Sequence, residues 1–152
     1  LTLSKAPNAH QVERLKNGNT FVADLGNLLE VTRDGKEVLH IKRPANDVLT
    51  ARKLPNGQIA LITRRWQLLR LDTSGNVLKS VQLHDKRNAI DRQQILDNGS
   101  VLVAIPFENA VVEYNSDGKV LRTYKASSPY SVTRLPNGNL LLTEGEGKAV
   151  EL

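Results

Sequence analysis

Short blocks of alternating or continuous apolar residues follow one another along the chain, each cut off by a glycine-containing turn. In one such unit Ser131-Val132-Thr133-Arg134 alternates, Leu135-Pro136-Asn137-Gly138-Asn139 breaks the pattern, and Leu140-Leu141-Leu142 resumes it. The same arrangement surrounds Leu15-Lys16-Asn17-Gly18-Asn19, Leu54-Pro55-Asn56-Gly57-Gln58 and Leu96-Asp97-Asn98-Gly99-Ser100. Asn-Gly between apolar runs is a strong hairpin signal. It predicts a two-residue type I′ turn, which needs positive φ at both central residues. The four Asn-Gly pairs begin at Asn17, Asn56, Asn98 and Asn137, at spacings of 39, 42 and 39 residues. A period near 40 filled with strands is the mark of a propeller or a solenoid.

Two further markers keep the same register. Glu30, Arg70, Glu113 and Glu151 lie 13 to 15 residues after each Asn, between apolar neighbours, which predicts a half-buried strand. Turn glycines Gly35, Gly75 and Gly118 follow five residues later in the first three repeats. Each repeat therefore holds four strands; in the second they are predicted at 48–54, 58–63, 68–72 and 77–83. No stretch sustains a 3.6-residue period between caps, so the chain reads as all-β. Counted back from the first Asn-Gly, residues 1–5 match 121–125, a fourth strand, while the last repeat has three strands up to Leu152. The expectation is a single domain over 1–152, a β-propeller of four four-stranded blades whose N-terminal strand completes the last blade and covers its edge. The alternatives are part of a larger propeller, and half-rings that pair. A solenoid would want polar caps at both ends.

The run Asn19-Thr20-Phe21-Val22-Ala23-Asp24, with Leu29-Glu30-Val31 and Asp34-Gly35-Lys36, resembles one blade of the NHL-type or PQQ-like β-propellers. The Leu-Pro-Asn-Gly-Asn hairpin is also similar to arylsulfotransferase-like propeller repeats. The resemblance covers the whole chain and rests on turn and strand spacing. It implies that the first strand of each blade lines the axis. It also implies that loops entering that strand and loops joining the second strand to the third share one face, where propellers usually bind.

Composition narrows the chemistry. Cysteine is absent, which excludes disulfides, thiolate metal sites and Cys nucleophiles. That absence fits an exported bacterial protein as well as a cytosolic one, with export the favoured expectation. The opening Leu1-Thr2-Leu3-Ser4 reads as a processed mature protein or an excised domain. The longest apolar runs fall far short of the ~20 residues of a membrane helix. Between Ile41 and Arg92 eleven Lys and Arg meet four acids, so this segment carries +7 of a chain whose net charge is +5. It can attract anions. Six aromatic residues and no stacking platform argue against a dedicated nucleic-acid protein.

On the implied binding face lie Arg64-Arg65-Trp66, with Arg43, Lys86 and Arg87 on neighbouring loops and Tyr130 at the entry to the last repeat. Guanidinium groups offer paired donors and an exposed indole offers a stacking face. The expected contacts are therefore Arg43, Arg64, Arg65, Trp66, Arg87 and Tyr130, and the expected role is a binding or scaffolding module for an acidic protein partner or an anionic small ligand. The plainer alternative packs Trp66 between blades and leaves the arginines solvated. The third repeat carries extra residues within 85–91, and Arg92-Gln93-Gln94 puts polar groups on its inner strand. An enzyme would need Asp24, Asp47, Asp91, Glu108 and Glu144 as a hydrolase or lactonase-like carboxylate set, or His10 as a transferase nucleophile. His10, His40 and His84 are too dispersed to converge on a metal. No catalytic residue, metal or cofactor is assigned, and self-association remains an alternative use of the repeats.

Overall fold

The computed structural model describes residues 8–83 and 93–152. They form four antiparallel sheets in two compact units, Leu1–Gln82 and Leu83–Leu152. The first unit holds β1 (Gln11–Arg14), β2 (Thr20–Ala23), β3 (Asn27–Val31) and β4 (Glu37–Lys42) in one sheet. Its second sheet is β5 (Val48–Lys53), β6 (Ile59–Thr63), β7 (Gln67–Leu71) and β8 (Val77–Gln82). The second unit holds β9 (Gln93–Ile95), β10 (Val101–Ile105), β11 (Ala110–Tyr114) and β12 (Val120–Lys125), then β13 (Ser131–Arg134), β14 (Leu140–Glu144) and β15 (Lys148–Glu151). Every sheet is a meander of neighbouring strands, the plan of a propeller blade. The second repeat's predicted strands agree with the observed ones to within one residue at each end. Residues 1–5, expected to complete the last blade, fall outside those described. No helix among the described residues is long and apolar enough to cross a membrane.

The apolar pattern explains the layering. β2, β6 and β10 (Thr-Phe-Val-Ala, Ile-Ala-Leu-Ile-Thr and Val-Leu-Val-Ala-Ile) are buried throughout, as continuous apolar runs should be. The outer strands β8 and β12 keep their Lys and Ser or Thr in water and are mostly exposed. In the first unit Phe21, Ala23 and Leu28 of one sheet pack with Val48, Ile59, Leu61, Leu69 and Leu71 of the next. In the second unit Leu102, Ala104 and Val111 meet Val132, Leu140 and Leu142 in the same way.

The hairpin turns differ from expectation. At the first, Leu15 N–H donates to Asn19 O (2.9 Å) and Gly18 N–H to Leu15 O (3.0 Å), so the loop has three residues. Only Gly18 has positive φ, at 86°; Asn17 does not. The reason is local: Asn17 Oδ1 accepts Asn19 N–H at 2.9 Å, which holds Asn17 in an Asx turn and leaves the left-handed step to the glycine. The same pair of main-chain bonds recurs at 54–58, 96–100 and 135–139, and also at 32–36, 72–76 and 115–119. Gly75 is constrained in two ways. Its φ is 88°, and a Cβ would lie 2.8 Å from Ile41 Cγ2 in the core. Gly75→Ala should therefore lower the urea midpoint by more than Gly57→Ala, whose φ is 85° but which has open space around it. The expected costs are about 2 and about 1 kcal/mol, with m unchanged in both.

The marker carboxylates knit sheet to sheet. Glu30, only 2% exposed, receives Asn17 Nδ2 (3.2 Å) and Asn19 Nδ2 (2.7 Å) on Oε1, while Lys53 of the adjacent sheet closes on Oε2. Glu113 receives Arg134 Nη2 at 2.7 Å and Tyr124 Oη at 3.0 Å. Sequence reasoning expected a half-buried strand here; at Glu30 the amides and the neighbour's cation permit full burial of the carboxylate, whereas Glu113 stays half-buried and Glu151 exposed. A register shift follows the marker position at Glu30/Val31, Arg70/Leu71 and Glu113/Tyr114.

Candidate functional site

The three turns at one end of the first unit are tied to one another by backbone bonds. The β2–β3 turn is shaped by Asp24, whose Oδ1 accepts the N–H groups of Gly26 (2.7 Å) and Asn27 (2.6 Å). Both its oxygens also take Asn27 Nδ2. The β4–β5 connection lies against this turn, with Arg43 N–H on Gly26 O (2.7 Å) and Val48 N–H on Leu25 O (3.1 Å). The approach is close enough that a Cβ on Gly26 would sit 2.2 Å from Asn46 Oδ1. Asp47 then reaches the third turn, its carbonyl accepting Arg64 N–H at 2.7 Å.

The β6–β7 turn, Arg64-Arg65-Trp66, is held from several directions. Thr63 Oγ1 accepts Arg65 N–H (3.3 Å) and Gln67 N–H (3.2 Å), and Thr63 O accepts Trp66 N–H (2.8 Å). Gln82 Nε2 donates to the carbonyls of Arg65 (2.9 Å) and Trp66 (3.2 Å). Trp66 takes the left-handed conformation, φ 60°, and its ring is buried, with 7% of the residue exposed. Arg64 and Arg65 are exposed, and neither guanidinium enters an ion pair among the described residues.

The second unit has a comparable set. Asn109, with φ 51°, ends a 3-10 turn at Pro106–Glu108. It accepts Ala126 N–H on its carbonyl and Ser128 N–H on Oδ1, both at 2.9 Å. Glu144 Oε1 accepts Ser127 N–H at 2.7 Å. Glu108, Asn109, Lys125, Ala126, Ser127 and Glu144 line an open groove of about 610 Å³. Tyr130 N–H is fixed on Thr143 O (2.7 Å), and the residue is 45% exposed.

The residues expected to make contact thus divide. Arg64 and Arg65 are presented to solvent together. Arg43 shares their end of the unit, but Asp47 engages its guanidinium through Nε (3.2 Å) and Nη2 (2.9 and 2.8 Å). Its charge is therefore largely spent inside the loop. The buried Trp66 ring is an anchor for the turn and offers no open stacking face. Tyr130 belongs to the other unit's loops, and Arg87 lies outside the described residues, as do Lys86, Asp91 and His84. Sequence reading missed the Arg43–Asp47 pair and the left-handed residues Asn46, Trp66, Asn109 and Ser128. Asn is a familiar left-handed residue and gave a weak signal; Trp and Ser gave none.

Of the five carboxylates of the enzymatic alternative three are engaged in place, Glu108 lines the groove of the second unit, and Asp91 lies outside the described residues. Asp24 shapes its own turn, Asp47 holds Arg43 and Glu144 caps Ser127. Among the described residues no group of three His, Asp or Glu is arranged to hold a metal ion.

No known family profile and no curated protein matches the sequence. Solved structures do match in fold. A protein of unknown function from Bacteroides caccae is 23% identical with a TM-score of 0.65, over 100% of this chain and 63% of its own. A catalytically inactive virginiamycin B lyase from Staphylococcus aureus, solved with quinupristin, is 14% identical with a TM-score of 0.67, over 99% of this chain and 57% of its own. The WD40 β-propeller domain of Doa1 is 16% identical with a TM-score of 0.69, over 94% of this chain and 49% of its own. The fold is thus a β-propeller of four blades, and the chain spans about half to two thirds of the larger propellers it resembles. Lyases and a WD40 domain share that fold, so the likeness carries no activity with it.

Proposed function

We propose that this chain is a propeller binding module that docks an acidic protein segment against the β6–β7 turn, with Arg64 and Arg65 as the contact cations. One observation carries the reading: two adjacent, exposed guanidinium groups, in no ion pair among the described residues, stand on a turn fixed by Thr63, Asp47, Gln82 and the buried Trp66. A turn already ordered loses little conformational entropy when it binds, and each guanidinium can take a carboxylate through two parallel bonds. The roles of Arg43 and Trp66 are then to position the turn. Tyr130 is a proposed contact on the second unit's loops. The NHL-type or PQQ-like character of the repeats is compatible with such a module and adds no ligand to it.

A fluorescein-labelled hexaglutamate peptide followed by anisotropy tests the proposal. Arg64→Gln with Arg65→Gln should weaken binding by about tenfold or more, the scale of two lost charge-assisted contacts. Thermal unfolding should be unchanged, because both side chains are exposed. Equal affinity for wild type and variant would dismiss the reading.

A further inference from the structure

The carboxylate junction between sheets has a fixed grammar. The acceptor is the marker Glu on the third strand of one blade. The donor stands three residues before the Asn-Gly of the next: Lys53 before Asn56, and Arg134 before Asn137. Arg134 uses both arms, giving Nη1 to Gly138 O (2.9 Å) and Nη2 to Glu113.

Two half-junctions of this kind stand open. Glu151 Oε1 receives Asn137 Nδ2 (3.1 Å) and Asn139 Nδ2 (2.8 Å), as Glu30 Oε1 receives Asn17 and Asn19, but no cation reaches its Oε2 among the described residues. Those amide bonds hold its carboxyl below the ordinary carboxylate range, so it is ionised at neutral pH. Arg14, three residues before Asn17, gives Nη1 to Gly18 O at 2.7 Å, matching Arg134, while no carboxylate meets its Nη2 among the described residues.

The surroundings are also those of an uncovered junction. Leu141 pairs across the strands with Glu151 and is 41% exposed; its counterparts opposite Glu30 and Glu113, Phe21 and Leu102, are fully buried by the neighbouring sheet. Thr133, Thr143 and Ala149 on the same face are exposed too. Beside Arg14, Val12 on the same face of β1 is 64% exposed.

We propose that the open face of the β13–β15 sheet docks β1 of a second copy of this chain, head to tail, with Glu151 of one copy receiving Arg14 of the other. The contact repeats, between copies, the junction that Glu30–Lys53 and Glu113–Arg134 make within each unit. Leu141 and Val12 supply its apolar part. Such a contact joins two different patches, so association proceeds either to a closed ring, which for two copies is a symmetric dimer carrying the contact twice, or to an open series of masses. The proposal uses none of the residues of the β6–β7 turn and stands or falls apart from the binding role.

Sedimentation velocity over a hundredfold range of concentration reads it. Wild type should show a concentration-dependent rise in mass. Arg14→Glu or Glu151→Arg alone should weaken association by about fivefold or more, because each sets like charges against one another. The two together should restore it. Leu141→Glu, at an exposed position outside the core, should weaken it as well, with the circular dichroism spectrum unchanged for every variant. A wild type that stays monomeric throughout overturns the proposal. So does association indifferent to all three substitutions. So does a monomer in which the Arg14 and Glu151 substitutions compensate in thermal stability, which would place the pair within one chain.

Discussion

Trp66→Ala is expected to lower the stability of the fold by about 3–5 kcal/mol, the range for deleting a large buried aromatic side chain. The ring is 7% exposed and stands on a turn whose main chain is bonded to Thr63 and Gln82. Alanine at this position keeps the cost of φ 60° and loses the burial that offsets it. Trp66→Gly would relieve the backbone and lose the ring, so the two variants should be destabilised by similar amounts, glycine's freer unfolded chain working against its easier turn. Trp66 is the chain's one tryptophan, so urea unfolding must be followed by circular dichroism. A loss of hexaglutamate binding with stability intact would instead make Trp66 a contact residue.

Glu30→Ala is the second large effect, expected to cost about 2–4 kcal/mol. Breaking a buried ion pair costs about 3–5 kcal/mol when the partner charge is left dry. Lys53 retains some solvent and softens that, while the amides of Asn17 and Asn19 lose their acceptor. Burial opposes ionisation of Glu30, but hydrogen bonds from Lys53, Asn19 and Asn17, with the charge of Lys53, outweigh it and hold the carboxyl below its ordinary 4.5. A depressed folded pKa means that the unfolded chain binds the proton first as pH falls. The carboxylate's contribution is therefore complete above about pH 4.5 and is lost as pH drops through the folded value. Glu30→Gln should be less stable than wild type at neutral pH and should flatten the acid limb of the stability curve. An acid limb of unchanged slope would show that Glu30 titrates normally.

These residues also show what a sequence can and cannot reveal. The blade plan was legible because Asn-Gly turns and apolar runs repeat, and the repeat fixes strand order before any contact is known. The turn type was not, since Asn-Gly suits both a two-residue loop and a three-residue loop with a left-handed glycine, and Asn17 Oδ1 decides between them. Exposure of Arg64 and Arg65 followed from two charges in a short loop. The fate of Arg43 did not, because Asp47 lies four residues away in irregular backbone, where no periodicity says which side chains meet. The burial of Glu30 depends on Lys53, 23 residues further on, and such a partner appears only when the sheets are placed side by side.

The central claim, that Arg64 and Arg65 make a ready-formed anion-binding turn, is tested most directly by the salt dependence of hexaglutamate binding. If it holds, wild-type affinity falls steeply as ionic strength rises, because exposed charges are screened over about 8–10 Å at near-physiological salt. Arg64→Gln with Arg65→Gln should then bind weakly and respond little to salt. Wild type and the double variant binding alike at every ionic strength would contradict it.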